Sequence, residues 1–405
     1  MKVLRIIARL NVGGPARHVV WLTDAMRDGE FETTLIAGTV PEGEEDMSYF
    51  AARHNVEPLY IKEMSRELSP KDAISLIKVY RTMLRERPDI VHTHTAKAGT
   101  VGRAAAFLYK WLTPGTLIGR PRKVRVVHTF HGHVFHSYYG KSKTRLFILI
   151  ERALARFATD RIVTITQQQF DEINGQVGVG RAEQFEVVPL GIDLSAYEDE
   201  GSKRAAFRGE VNAAEGEFLI GFMGRLTDIK NIPLLLQAAG EYSNSAEIPP
   251  TRFVIAGDGH LRGSLEAEAK ALGIFDRVVF LGNREDPDVV YAGLDLVALT
   301  SFNEGTPLSL IEAMASGRPV ISTAVGGVVD LLGEKVESHD GFAVCERGVS
   351  AASGDAAGFA KGLIYLAKNE RLRFGLAENG REFVNKIYSK ERLIEDIRAL
   401  YRKLI

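Results

Sequence analysis

Glu304 and Glu312 stand eight residues apart in the segment Phe302-Asn303-Glu304-Gly305-Thr306-Pro307-Leu308-Ser309-Leu310-Ile311-Glu312. The first precedes a helix start, and the second falls inside that helix, which is otherwise apolar on most sides. A carboxylate in such an element needs a partner, because desolvation without one is expensive. A polyol such as a ribose or a hexose could supply it. The free backbone N–H groups of Gly305, Thr306, Leu308 and Ser309, with Pro307 opening the helix, mark a place that favours an anion. Upstream, Gly224-Arg225-Leu226-Thr227-Asp228-Ile229-Lys230-Asn231 follows a strand pattern and precedes a helix with Pro233 near its start. Arg225 and Lys230 therefore sit on a strand-to-helix loop. There an Arg can clamp phosphate oxygens bidentately and a Lys can act as a point charge.

The first half of the chain carries a second set of candidates. Gly13 and Gly14 join the first strand to the first helix, and paired glycines let backbone approach a phosphate or sugar closely. His92, His94, His128, His131, His133 and His136 form two clusters at strand ends. A His-x-His pair is a metal-ligand pattern. No Cys or carboxylate completes a set in this acid-free stretch, so the histidines are expected to make polar contacts to substrate and no metal is assigned. Asp286-Pro287-Asp288 reads as a loop before a helix. Gly257-Asp258-Gly259 follows a strand, but its glycine spacing is wrong for a dinucleotide fingerprint and suits a tight turn.

These residues need elements to hold them. Short β-branched runs alternate with helical patterns from end to end, the mark of parallel, doubly wound α/β sheets. The pattern breaks around Pro189–Gly216 and then restarts. Two Rossmann-like domains are expected, at 1–190 and 191–380, facing a central cleft, with residues 381–405 forming a C-terminal helix that returns to the first domain. A chain of 405 residues exceeds one ordinary core. One cysteine, Cys345, excludes a disulfide framework and points to a reducing compartment. No apolar run is long enough to span a bilayer.

Charge is unevenly distributed. Residues 1–190 carry 27 Lys and Arg against 20 Asp and Glu, a surplus of +7, and the remainder carries 24 against 32, or −8. From Ile90 to Ile150 there is no acid, while Lys97, Arg103, Lys110, Arg120, Arg122, Lys123, Arg125, Lys141, Lys143 and Arg145 are basic. Such a field suits an anionic partner: a phosphorylated acceptor, an anionic membrane or a nucleic acid. Phe107, Tyr109 and Trp111 could add membrane contacts or pack in the core.

Together the motifs resemble the retaining family 4 glycosyltransferases of GT-B architecture, over essentially the whole chain. The matching pieces are the Gly13-Gly14 loop, His92-Thr93-His94 through Lys97-Ala98-Gly99, His128-Thr129-Phe130-His131-Gly132, Gly224-Arg225 with Lys230-Asn231, Gly257-Asp258-Gly259, and the paired acids, whose spacing is that family's Glu-x7-Glu signature. The resemblance implies that Arg225 and Lys230 bind and stabilise the departing diphosphate and that Glu312 holds ribose hydroxyls. It further implies that Glu304 touches the transferred sugar, His131 lies near it, and Asn283 and Arg284 border the base. One departure is the first loop, which reads Gly-Gly-Pro-Ala-Arg-His where many members have Gly-Gly-Ala-Glu.

The implied reaction moves a hexose or N-acetylhexosamine from a nucleotide diphosphate sugar, first a UDP-sugar, to a hydroxyl. The acceptor would be a saccharide or lipid-linked saccharide of envelope or exopolysaccharide synthesis. Retention without a divalent metal, no cofactor, no nucleic-acid partner, and a cytoplasmic or membrane-peripheral location complete the expectation. A front-face route is the usual proposal for such enzymes; Glu304 as a covalent nucleophile is the less favoured alternative. A nucleotide-sugar epimerase of the same fold and a non-catalytic carbohydrate-binding protein are the rival readings. A nicotinamide-dependent dehydrogenase would need a Gly-x-Gly-x-x-Gly fingerprint that the chain lacks.

Overall fold

The run Lys2–Ile7 (β1) is buried from its second residue onward, as expected of a central strand covered on both faces. In the computed structural model, which describes residues 1–405 except 12, 41–45, 65–69, 132–140, 199–200 and 247, β1 pairs in parallel with Glu32–Gly38 (β2) and Ile90–His94 (β4). Leu59–Ile61 (β3), Arg125–Thr129 (β5), Arg161–Thr164 (β6) and Phe185–Val187 (β7) complete a parallel sheet in the order β3-β2-β1-β4-β5-β6-β7. Strand order reverses between β1 and β4, the place where open α/β sheets bind ligands. Gly132, His133 and His136 lie outside the described residues.

The second sheet repeats the plan. Phe218–Met223 (β8), Thr251–Ala256 (β9), Val278–Gly282 (β10), Leu296–Leu299 (β11) and Val320–Thr323 (β12) run in the order β10-β9-β8-β11-β12, with the switch between β8 and β11. Three short strands absent from the sequence reading extend it: Lys335–Ser338 (β13), Phe342–Cys345 (β14) and Gly348–Ala351 (β15). β15 adds in parallel to β12, and the other two follow antiparallel. All four residues of β13 are exposed, so no apolar pattern announces it.

The chain divides into two compact units, Met1–Ile192 with Lys390–Ile405, and Asp193–Ser389. The return to the first unit thus starts at Lys390, not at residue 381. The helix Glu370–Tyr388 buries Leu376, Ala377, Gly380 and Val384 along one face, so residues 381–388 continue an element of the second unit. After Ser389, the helix Lys390–Leu404 lays Leu393, Ile397, Leu400, Tyr401 and Leu404 into a core shared with Val3, Met26, Phe31, Ile90 and Val127. Tyr401 also donates to or accepts from His92 Nδ1 at 2.6 Å.

Among the described side chains of the acid-free stretch, two of the basic ones are not at the surface. Lys97 is 6% exposed and bonds Asp72 at 2.5 Å. Arg103 is fully buried and meets both carboxylate oxygens of the equally buried Glu151 at 2.6 and 2.7 Å. Tyr109 is likewise in the core. Glu151 falls one residue past the stretch and Asp72 well before it, which is why its sequence looks unpaired. Stripping one partner from a buried pair leaves an uncompensated charge. Glu151→Ala is expected to cost about 3–5 kcal/mol, whereas Arg103→Met with Glu151→Leu costs far less. Urea unfolding of the three proteins measures the difference.

Candidate active site

Arg225 and Lys230 leave the carboxyl end of β8 on a loop that neighbouring backbone clamps. Gly224 N–H donates to Ala256 O at 3.0 Å and Leu226 N–H to Asp258 O at 2.9 Å. A Cβ on Gly257, whose φ is +137°, would stand 1.9 Å from Gly224 O, and one on Gly259 would stand 2.3 Å from Leu226 O. The turn Gly257-Asp258-Gly259 therefore exists in that form to let two strand-end loops touch. Arg225 is exposed beside it.

Lys230 ends a short 3-10 turn, and Asn231, at φ 45°, redirects the chain into the helix Ile232–Ser243. The loop after β11 grips this turn: Phe302 N–H donates to Ile229 O at 2.9 Å and Thr300 Oγ1 to Lys230 O at 3.1 Å. The same loop supplies the counter-charge. Lys230 Nζ lies 2.5 Å from Glu304 Oε1, and Ser301 Oγ donates to that oxygen at 2.6 Å. A cation and an acid 74 residues apart are thus brought together at the switch point.

Gly326 and Gly327, after β12, fix the backbone of Glu304 and were not singled out from sequence. Gly327 N–H donates to Glu304 O at 3.0 Å. Added Cβ atoms would stand 2.0 Å from Glu304 O at position 326 and 1.8 Å from Gly305 O at 327. A glycine pair at a strand's carboxyl end was the available signal.

The helix Leu308–Ala315 starts at the other side of this loop, with Pro307 as its cap residue. Thr306 Oγ1 is buried there with no hydrogen-bond partner among the described residues. Glu312 is half-buried, and Glu312 Oε2 accepts from Tyr291 Oη at 3.2 Å. The protein itself thus supplies one partner for this acid. Burial, then the Glu312 charge, push the Tyr291 hydroxyl well above its ordinary pKa, so it stays a donor.

Past β10, Asn283 is exposed. Arg284 is bound to Asp286 at 2.8 Å and to Glu210 at 3.1 Å, and those hydrogen bonds, Glu210's first, raise its pKa. Asp288 pairs with Lys203 at 3.0 Å. The Asp286–Asp288 acids are therefore spoken for by cations.

In the first unit, Gly13 and Gly14 lead from β1 into the helix Gly14–Ala25. His131 follows β5, with its Nε2 3.0 Å from His94 Nδ1 at the end of β4. His18, on the first helix, stacks edge-on to His131 with ring centroids 4.8 Å apart. The sequence does not group His18 with the other two. Burial pushes His131 down to about 4 and His18, His92, His94 and His128 well below the ordinary imidazole range. His92 is occupied, by Tyr401 at one nitrogen and by Thr129 Oγ1 at 2.7 Å at the other.

Known proteins resemble this chain in sequence and in fold. Residues 12–196 match the model described as Glycosyltransferase Family 4, and residues 203–383 that of Glycosyl transferases group 1. The chain is 27% identical over 353 residues to the UDP-Gal:alpha-D-GlcNAc-diphosphoundecaprenol alpha-1,3-galactosyltransferase of Escherichia coli, covering 87% of this chain and 85% of that one. It is 30% identical over 331 residues to the D-inositol 3-phosphate glycosyltransferase of Nocardia farcinica, covering 77% and 69%. HepE of Anabaena, solved with UDP, superposes over 100% of both chains with a TM-score of 0.77 at 20% identity, which shows the fold. Doubled parallel sheets, strand-end loops and sequence matches in both halves lead to one conclusion: the chain is a GT-B glycosyltransferase acting on nucleotide sugars and belongs to glycosyltransferase family 4.

Proposed function

We propose that the protein is a retaining, metal-independent transferase that moves a hexose or N-acetylhexosamine from a UDP-sugar to a hydroxyl of a lipid-linked saccharide. The observation that carries this reading is Lys230 held against Glu304 at the switch point of the second sheet. Breaking the anomeric C–O bond puts negative charge on the diphosphate and positive charge on the sugar. Lys230, Arg225 and the N–H groups of Gly305, Thr306, Leu308 and Ser309 answer the first. Glu304 contacts the sugar, and the leaving phosphate takes the acceptor's proton in a front-face displacement. Glu312 holds the ribose, with Asn283 and Arg284 bordering the base. His131 and the Gly13-Gly14 loop serve the transferred sugar and the acceptor. The Escherichia coli relative, named for UDP-Gal and a diphosphoundecaprenol acceptor, supports both choices.

A thermal-shift screen of UDP- and GDP-sugars tests the donor, since a ligand stabilises in proportion to the logarithm of its concentration over Kd. Product linkage by NMR tests retention, and unchanged turnover in EDTA tests metal independence. Glu312→Ala is expected to raise the donor KM about 10- to 100-fold, the loss of a charge-assisted hydrogen bond worth roughly 1.5–3 kcal/mol. Unchanged donor affinity would remove Glu312 from the ribose.

We also propose peripheral binding to anionic lipid through the first unit. No helix among the described residues is long and apolar enough to cross a membrane. The helix Lys141–Ala158 exposes Arg145, Leu146, Leu149, Arg152, Arg156 and Phe157, and Leu117 and Ile118 are 91% and 73% exposed. Phe107 and Trp111 add exposed aromatic surface. Cosedimentation with phosphatidylglycerol vesicles is expected in low salt and lost on raising it. No binding at low salt would refute the surface.

A further inference from the structure

The carboxyl ends of β4 and β5 and the first helix bring together imidazoles from three separate stretches of chain. One ring nitrogen from each of His18, His94 and His131 lies within 4.8 Å of those of the other two. We propose that His18, His94 and His131 bind a borderline divalent transition metal, zinc in the first instance, and that its binding withdraws His131 and inhibits transfer. The inhibition, though not the binding, rests on the role assigned to His131 above.

The donor chemistry selects the ion. Among the described residues the set is three imidazole nitrogens with no carboxylate, which leaves a fourth tetrahedral position open. Such a set suits zinc, nickel or copper and gives magnesium or calcium, which want oxygen, almost nothing. Burial keeps all three rings in the neutral form that ligates. Bonds of about 2.0–2.1 Å put tetrahedral nitrogens ~3.3 Å apart. The 3.0 Å between His94 Nδ1 and His131 Nε2 is already of that order, and the widest pair must close by about 1.5 Å.

A second observation is independent of that spacing. Nε2 of His18, the nitrogen this ring can give the ion, is buried with no hydrogen-bond partner among the described residues. An unpaired buried polar atom is costly, and a ligand to it relieves that cost. His92, though its ring lies 4.1 Å from that of His94, has both nitrogens engaged and is left out. One feature opposes the ion. Arg5 is fully buried in β1 and pairs with no carboxylate among the described residues, reaching Met26 Sδ at 2.8 Å and the Tyr401 ring at 5.8 Å. Its charge repels a dication, so binding should be weaker than in a structural zinc site.

The experiment is calorimetric titration of the whole chain with Zn²⁺, with no donor or acceptor present, paired with Co²⁺ absorption. One ion per chain and intense tetrahedral Co²⁺ bands are expected, with millimolar Mg²⁺ failing to compete. His18→Gln, His94→Gln and His131→Gln should each weaken binding at least about 10-fold. His260→Gln, at an exposed histidine, should not. Circular dichroism checks each fold. If a buried variant does not fold, His131→Gln and the wild-type Co²⁺ spectrum decide. No stoichiometric uptake at 100-micromolar order zinc, or uptake indifferent to all folded trio variants, would overturn the site. Zinc held by the trio without loss of transfer would overturn the inhibition. Absence of any transfer, with zinc still bound by the trio, would instead count against the reaction proposed for the enzyme.

Discussion

Lys230→Ala is expected to lower kcat by about 10²–10³-fold, the cost of removing one preorganised group that meets charge developing in a transition state. Lys230 is suited to that part because its position does not depend on the ligand. Its own carbonyl is bonded by Thr300, the preceding carbonyl by Phe302 N–H, and its ammonium by Glu304. The ammonium is therefore in place before negative charge appears on the leaving diphosphate, and little reorganisation is needed during the reaction. Its side chain is only 19% exposed, so the interaction is poorly screened by water. A group that acts mainly in the transition state lowers kcat and kcat/KM together, with a small change in KM. Lys230→Arg should recover only part of the rate. It keeps the charge, but a planar fork replaces the compact ammonium that meets Glu304 and Ser301 at one oxygen. Steady-state product formation at saturating donor measures both variants, and wild-type turnover in Lys230→Ala would end the assignment.

Much of the candidate site in the second unit was legible in the sequence because its parts are local. A strand, a Gly-Arg loop and a helix opening at Pro233 are contiguous in the chain, as are Glu304, the helix start and Glu312. Their charges and spacing therefore survive being read one segment at a time. What was not legible depends on distant contacts. Nothing near Glu312 announces Tyr291, and nothing near Glu304 announces that Gly326 and Gly327 lie against its backbone. His18 joins His94 and His131 only because the first helix sets its ring 5.5 Å from that of His94 and 4.8 Å from that of His131. The surface charge of residues 90–150 was overestimated for the same reason. Lys97 and Arg103 meet Asp72 and Glu151 from outside the window, and burial turns an apparent electrostatic field into internal pairs.

The buried imidazoles predict where acid will first break the molecule. His18, His92, His94 and His128 are at most 4% exposed, all in the first unit, and burial is the leading cause that holds each well below the ordinary value of 6.5. The folded unit therefore refuses protons that the unfolded chain accepts. Each such group contributes stability that is complete above pH ~6.5 and is lost as pH falls below it, until the folded-state value is reached. The slope is about 1.4 kcal/mol per pH unit for each withheld proton, hence roughly 5 kcal/mol per unit for four. His131, pushed down to about 4, adds to the loss between pH ~6.5 and ~4. Against a domain stability of about 5–15 kcal/mol, the first unit should unfold between roughly pH 5.5 and 4. The chain carries its own probe, because both tryptophans, Trp21 and Trp111, are in that unit. Their emission should shift in that window while a substantial part of the far-ultraviolet circular dichroism, from the second unit, persists to lower pH. The only histidines in Asp193–Ser389, His260 and His339, lie outside the buried core, beside Asp228 and Glu337. Tryptophan emission unchanged down to pH 4 would mean that the imidazoles accept protons in the folded state. A single transition shared by both probes would mean that something other than these side chains sets the acid limit.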